Sequence, residues 1–341
     1  MSTRVHPRLR FWLALLAALL MSAPLRAADD PAREAQSRAL ERAANAVVGL
    51  QARAVDGARS AGTLGRARQG SGVVIDADGL VLTIGYLVLE ADQVLLVTDD
   101  DRRIPARVIA YDQATGFGLV RALAPLKLEP VPLGRAKAIG DEQPLMVASG
   151  GEAGAVSAVR LVSRRVFAGY WEYLLEDALF TAPARPDHSG AGLFNERGEL
   201  VGIGSLVVSD AAGNNRRQSG NMFVPIDLLS PILPELLARG RSQQSDRAWM
   251  GINAVESEGR VRVMRVTEDS PADVAGVEPG DHIVSLDGQP VASVEALWKA
   301  LWRGTGSARA VQLQVEREGR PQQITVHTVD RSMTLKRSEG V

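Results

Sequence analysis

Residues 71–83 read SGVVIDADGLVLT, two apolar runs separated by Asp78-Gly79. An Asp-Gly pair between apolar runs predicts a β-hairpin, because tight hairpin turns need the positive φ angles that Gly and Asp tolerate. The run Asp76-x-Asp78-Gly79 also resembles the start of a calcium loop. The remaining ligand positions of such a loop are missing, which leaves the hairpin. Outward from this stretch, VLLVTDD (94–100) and RIPARVIAYD (103–112) add two more strands. Residues 131–207 repeat the style with LMVAS, VRLVS and LVGIGSLVV. Short strands at this spacing predict barrels or a sandwich rather than a βαβ sheet.

The composition agrees. A chain of 341 residues has room for about two domains, and 23% charged with 45% hydrophobic residues describes a folded globular protein. Aromatics make up only 4% while glycines number 33, which favours a β-rich chain with many tight turns. A formal net charge of −1 provides no field for nucleic acid or an anionic membrane. The absence of cysteine excludes disulfides, thiolate catalysis, Cys-based zinc sites and lipid attachment at a cleavage-site cysteine. No motif points to a cofactor or a metal.

The first residues read as a targeting signal. Arg4, Arg8 and Arg10 precede the apolar run Phe11 to Met21, then Pro24, Ala27 and Ala28. That run is shorter than the ~18–20 residues a membrane span needs, so a cleaved signal peptide is predicted over 1–27, with no stable span after cleavage. The mature chain is then expected outside the inner membrane, in a periplasm. Residues 28–45 predict a polar helix or arm. PIDLLSPILPELLARG (225–240) has apolar residues three and four apart and a stop at Gly240, a helix closing a first module over 46–240. Residues 241–248 are predicted as a polar linker.

A second module is predicted over 249–330, followed by a tail, 331–341. Ser270-Pro271 starts a short helix that Gly276 ends. HIVSL is a strand, Asp287-Gly288 a turn, and SVEALWKALW (293–302) an amphipathic helix with Ser293 as N-cap. VQLQVERE and QQITVHTV form a closing hairpin across Gly319.

Four stretches resemble the HtrA family of trypsin-like serine proteases. They are Gly70-Ser71-Gly72-Val73-Val74-Ile75 through Asp78-Gly79 to Thr83; DQATGFGLVR (112–121); SGAGLFNERGELVGI (189–203); and Trp249-Met250-Gly251-Ile252 followed by SPADVAGVEPGDHIVSLDG. They occur in the family's order and at about its spacing, and the resemblance covers roughly residues 45–330. It implies a mostly β protein: a chymotrypsin-like double β-barrel followed by an α/β PDZ domain.

The family's chemistry needs a serine nucleophile, an imidazole that takes its proton and a carboxylate that orients the imidazole. The resemblance puts the histidine position at Tyr86 and the aspartate position at Gly116, so both are replaced. It puts the nucleophile at Ser189. Asp187 stands where the family has the glycine whose N–H, with that of Ser189, forms the oxyanion hole. His188 and, more remotely, Lys127 and Lys137 are the alternative bases; one must come within ~3 Å of the Ser189 hydroxyl to act.

In the second module, Trp249, Met250, Gly251 and Ile252 match the loop that receives a peptide's terminal carboxylate on backbone N–H groups. The following strand would pair with the peptide, and the helix around Val294 to Leu301 would form the other wall. The leading expectation is an inactive protease homologue that binds peptide C-termini or unfolded segments in envelope protein quality control, as an adaptor or regulator, with active HtrA relatives among its partners. Two rivals remain: a working endopeptidase using Ser189 with an unconventional base, and a structural envelope component whose groove is closed. Family members commonly form trimers through the protease domains, often with N-terminal aromatics at the contact; residues 28–69 contain no Phe, Tyr or Trp, which speaks against a homotrimer of that kind.

Overall fold

The computed structural model describes residues 31–152, 154–213, 217–304 and 306–336. The predicted signal peptide and tail residues 337–341 lie outside them. The described chain opens with helix α1 (Pro31–Asn45), where Leu40, Ala43 and Ala44 are buried. Its remaining residues are mostly polar or alanine, so helix propensity supports the turns and a narrow apolar edge docks them.

Six strands then close a first barrel: β1 (Val47–Ala54), β2 (Ala67–Val74), β3 (Leu80–Ile84), β4 (Ala91–Val97), β5 (Arg103–Tyr111) and β6 (Phe117–Ala122), in the order β1-β2-β3-β6-β5-β4. Two short helices, α2 (Ala61–Leu64) and α3 (Gly85–Val88), interrupt them. The stretch 71–83 forms the predicted hairpin, pairing Val73 with Leu82 and Val74 with Val81. Its turn is held by the Asp76 carboxylate, which accepts from the Leu80 N–H at 2.7 Å. That carboxylate thus serves the turn. Val73, Val74, Leu80, Val81 and Leu82 are all buried.

A second closed barrel follows: β7 (Pro144–Ala148), β8 (Val156–Gly169), β9 (Tyr173–Ala182), β10 (Gly192–Phe194), β11 (Leu200–Val208) and β12 (Gly220–Pro225), in the order β10-β11-β12-β9-β8-β7. Its core includes Leu145, Val159, Leu161, Leu179, Leu193 and Phe223. Helix α4 (Leu229–Arg239) comes next and ends as predicted at Gly240, which is left-handed at φ 77 and caps with its N–H on the Leu236 carbonyl. Within the predicted linker (241–248), Gln243–Ser245 is a 3-10 turn, and Ser242 and Ser245 are buried.

The third sheet runs β14-β15-β16-β18-β19, built from β14 (Ile252–Ser257), β15 (Arg260–Val266), β16 (His282–Leu286), β18 (Ala310–Arg317) and β19 (Arg320–His327). Strand β17 (Gln289–Pro290) pairs with β16, and β13 (Ala248–Trp249) pairs separately with β20 (Val329–Asp330). Val311, Leu313 and Val315 alternate inward while Gln312 and Gln314 face out, the period-2 pattern of a half-buried strand. The helices are α5 (Pro271–Val274) and α6 (Val294–Trp302), each with the predicted serine cap: Ser270 accepts from the Asp273 N–H and Ser293 from the Ala296 N–H. Trp298 of α6 is fully buried at the centre of this core.

The chain divides into two compact units. One contains the chain to Arg164 and Ala178–Arg241; the other contains Ser242–Lys336 together with Arg165–Asp177, the far end of the β8–β9 hairpin. Nothing in the sequence reading separated that hairpin end from the module in which it begins.

Candidate functional site

Ser189 sits on the loop between β9 and β10, between His188 and the left-handed Gly190 (φ 73). Its carbonyl accepts from the Ser71 N–H of β2 at 2.8 Å, and the Gly190 N–H donates to the Gly204 carbonyl of β11 at 2.8 Å. The nucleophile position is thus fastened to both barrels by backbone bonds.

Tyr86 lies on α3, the single turn after β3. The buried Arg68 guanidinium holds that turn, donating to the carbonyls of Tyr86 at 2.9 Å and Leu89 at 2.5 Å. The phenol reaches across to the second barrel, with its oxygen 2.7 Å from Ser189 Oγ and 2.9 Å from the Ser205 carbonyl. A carbonyl only accepts, whereas a serine hydroxyl also donates. All three groups are satisfied when the Tyr86 O–H donates to Ser205 and the Ser189 O–H donates to Tyr86. Ser189 then keeps its proton. Burial pushes the Tyr86 hydroxyl up to about 12, outweighing the opposing hydrogen bond from Ser189. A phenol that stays protonated throughout the physiological range lacks a base's chemistry.

Gly116 offers no carboxylate and has φ 83. Its carbonyl accepts from the Gly85 N–H at 2.7 Å and its N–H donates to the Asp112 carbonyl at 2.8 Å. The nearby Asp112 carboxylate is fully buried and accepts from the Thr115 N–H at 3.0 Å and hydroxyl at 2.7 Å, closing its own turn.

At the oxyanion-hole position, the Asp187 carboxylate is gripped by the Arg185 fork (Nε to Oδ1 2.9 Å, Nη2 to Oδ2 2.5 Å) and by the Ser149 hydroxyl. Burial alone would raise this carboxyl, but the Arg185 and Ser149 hydrogen bonds and the Arg185 charge together hold it below the usual range. A carboxylate therefore lines the same cleft as Ser189, along with Ser71, Ser149 and Gly150. The carboxylate is paired with Arg185, so the position carries a compensated ion pair rather than the free positive dipoles that stabilise an oxyanion.

The structure shows His188, Lys127 and Lys137 in other surroundings. His188 Nδ1 lies 3.1 Å from the carbonyl oxygens of Arg185 and Pro186 in its own loop. Lys127 and Lys137 are exposed, and Lys127 lines a separate depression around Asp76 and Leu126. Among the described residues no group of three or more His, Cys, Asp or Glu gathers as metal ligands would, and no helix is long and apolar enough to cross a membrane.

In the second unit, the predicted carboxylate loop presents three adjacent N–H groups. Gly251 enables this: at φ 91 it is left-handed, and a Cβ there would sit 2.2 Å from the Ser270 Cβ. Trp249 is placed differently from its three neighbours, buried on β13 opposite Val329. The N–H groups of Met250, Gly251 and Ile252 all donate to one acceptor, the Glu172 carboxylate, at 3.1, 2.7 and 3.1 Å. Sequence reasoning missed Glu172. The signal available was local: of the chain's 15 Phe, Tyr and Trp residues, four fall in FAGYWEY, 167–173.

Two β-barrels that meet at a serine, followed by a small sheet with a carboxylate-binding loop, define a trypsin-like peptidase domain joined to a PDZ domain. Residues 70–203 match the trypsin-like peptidase domain family, and residues 248–328 match the PDZ domain family. A putative serine protease HhoA of Synechocystis sp. is 29% identical over 288 residues, covering 77% of this chain and 71% of that protein. A probable periplasmic serine endoprotease DegP-like of Pseudomonas fluorescens is 27% identical over 295 residues, 80% of this chain; the match spans only 59% of that longer relative. Two solved structures share the fold. One, titled HtrA-type protease AlgW with tripeptide, has TM-score 0.53 and 23% identity, with 86% of this chain and 96% of that chain covered. The other is a serine endoprotease from Yersinia pestis, with TM-score 0.54 and 20% identity, covering 91% and 99%. Both domains, in this order, are consistent with an HtrA-type protein.

Proposed function

We propose that this protein is a catalytically inactive HtrA-type protease homologue of the periplasm that binds peptide C-termini or unfolded segments through its PDZ domain, as an adaptor or regulator in envelope protein quality control. The observation that carries the reading is the Tyr86 hydroxyl, 2.7 Å from Ser189 Oγ in the place of the general base. It holds the serine without activating it. The missing carboxylate at Gly116 and the charged Asp187 beside the serine act in the same direction. Localisation rests on the targeting signal in the sequence and on the periplasmic relatives. Peptide binding rests on the N–H loop at 250–252 and on an HtrA-type neighbour whose title names a bound tripeptide.

The test is covalent labelling of the purified protein with a fluorophosphonate probe, with Ser189→Ala as control and casein cleavage in parallel. The expected result is neither labelling nor cleavage above the control. Ser189-dependent labelling together with cleavage overturns the inactive reading and returns the search to an unconventional base.

A further inference from the structure

The N–H loop at 250–252 is not empty. The end of the β8–β9 hairpin lies in the groove in the manner of a peptide. Trp171 forms an antiparallel bridge with Asn253, and the Ala254 N–H donates to the Tyr170 carbonyl at 2.7 Å, so the segment extends the sheet at β14. On the helical wall, Trp298 of α6 donates its indole N–H to the Gly169 carbonyl at 2.9 Å. Ala168 and Leu174, on either side of the segment, pack against the apolar core of this unit. Glu172, only 3% exposed, then carries its carboxylate into the three N–H donors. Antiparallel strand addition ending in a carboxylate held by backbone N–H groups is how such a domain takes a C-terminus. Here the carboxylate comes from a side chain in mid-chain.

We propose that the end of the β8–β9 hairpin is a tethered ligand of the groove, its Glu172 carboxylate occupying the cradle that a peptide's terminal carboxylate would take, so that an outside C-terminus binds only by displacing it. This rests on the peptide-binding reading above. The two ligands cannot coexist: three N–H groups converge on one carboxylate, and β14 has one free edge. The tethered ligand has the advantage of concentration, since a short connection holds it at an effective ~mM level. If the groove stands open in one molecule in ~100, apparent affinity for an outside peptide falls ~100-fold. The hairpin sets a threshold that only a well-matched or locally abundant C-terminus exceeds. The same displacement frees Tyr170 and Trp171 from the edge of β14.

The experiment uses the full chain, as wild type, Glu172→Ala and Glu172→Gln. Glutamine keeps the side chain's size while removing its charge and guards against an unfolded alanine variant. The probe is a pool of fluorescein-labelled random decapeptides with free C-terminal carboxylates, with the C-terminally amidated pool as control. Hydrogen exchange at the amides of Met250, Gly251 and Ile252 is followed without peptide. At pH 8, where the docked Glu172 is ionised, both variants are expected to bind the carboxylate pool at least about tenfold more tightly than wild type, with no gain for the amidated pool, and to exchange at least about tenfold faster at the three amides. Equal binding by wild type and variants overturns the tethered ligand and leaves the peptide-binding reading standing. Faster exchange in the variants without binding of any peptide overturns the peptide-binding reading, and competition with it. Unchanged exchange in both variants overturns the occupancy itself.

Discussion

The Tyr86 phenol lies 2.7 Å from Ser189 Oγ, a contact that does not take the serine proton. An imidazole in that place would accept the serine proton; the phenol, held near 12 by burial, shares a hydrogen bond and leaves the proton where it is. Restoring the histidine alone is therefore expected to fail. Tyr86→His should leave casein cleavage at background, because Gly116 supplies no carboxylate to fix the imidazole tautomer, and loss of that partner alone costs ~10⁴ in turnover. Cleavage that rises above the Ser189→Ala level in Tyr86→His would contradict this. Glu172 makes a second prediction at this scale. Burial raises its carboxyl from 4.5 to about 7, against the three N–H donors and the charge of Arg331. Between those two values the docked form holds a proton that the released form has lost, so docking weakens as pH rises. The stability contribution is full below about 4.5 and is lost as pH passes about 7. Exchange at the amides of 250–252, corrected for its intrinsic pH dependence, should speed up from pH 5 to pH 8 in wild type and stay level in Glu172→Gln.

The β8–β9 hairpin is the element on which most of the functional reading turns. Its strands begin in the second barrel and end with Gly169 to Glu172 in the groove of the other unit. Trp298 couples the far wall to it, and this bond can be removed separately from the core. Trp298→Phe keeps a large apolar ring but leaves the Gly169 carbonyl without its indole donor, at a cost of about 1–3 kcal/mol for a buried acceptor. The expected outcome is faster hydrogen exchange across 169–172 with β18 and β19 still protected. Protection unchanged at 169–172 would show that the indole bond does not hold the hairpin. At this scale the sequence was informative about elements with a periodic pattern or a turn signature. The 71–83 hairpin, α4 with its Gly240 stop, and α6 with Ser293 were all readable, because each depends on residues a few positions apart. The hairpin end was not readable as a ligand, since Glu172 meets its partners 78 to 80 residues away.

At the scale of the whole molecule, each unit has its own core, around Leu193 and Phe223 in the second barrel and around Trp298 and Leu313 in the PDZ sheet. Units with separate cores unfold as separate cooperative transitions unless something couples them. Calorimetry of Leu313→Ala should show one transition lowered by the equivalent of about 2–5 kcal/mol and the other unmoved, and Leu193→Ala should show the converse. A single transition that shifts in both variants would mean that the units unfold as one. The order of domains and the β-rich class followed from the chain itself, since alternating apolar runs, Asp-Gly and Pro-Gly turns and serine caps act over a few residues and need no knowledge of the rest. Ser189, Tyr86 and Gly116 were likewise singled out as positions within motifs, and the structure brings Tyr86 to Ser189. Which hydroxyl faces which, how Ser149 holds Asp187, and what fills the loop at 250–252 were decided only in three dimensions. Those contacts join residues 38 to 103 positions apart, and it is closure of the barrels and docking of a hairpin, not any local preference, that brings them within hydrogen-bond range.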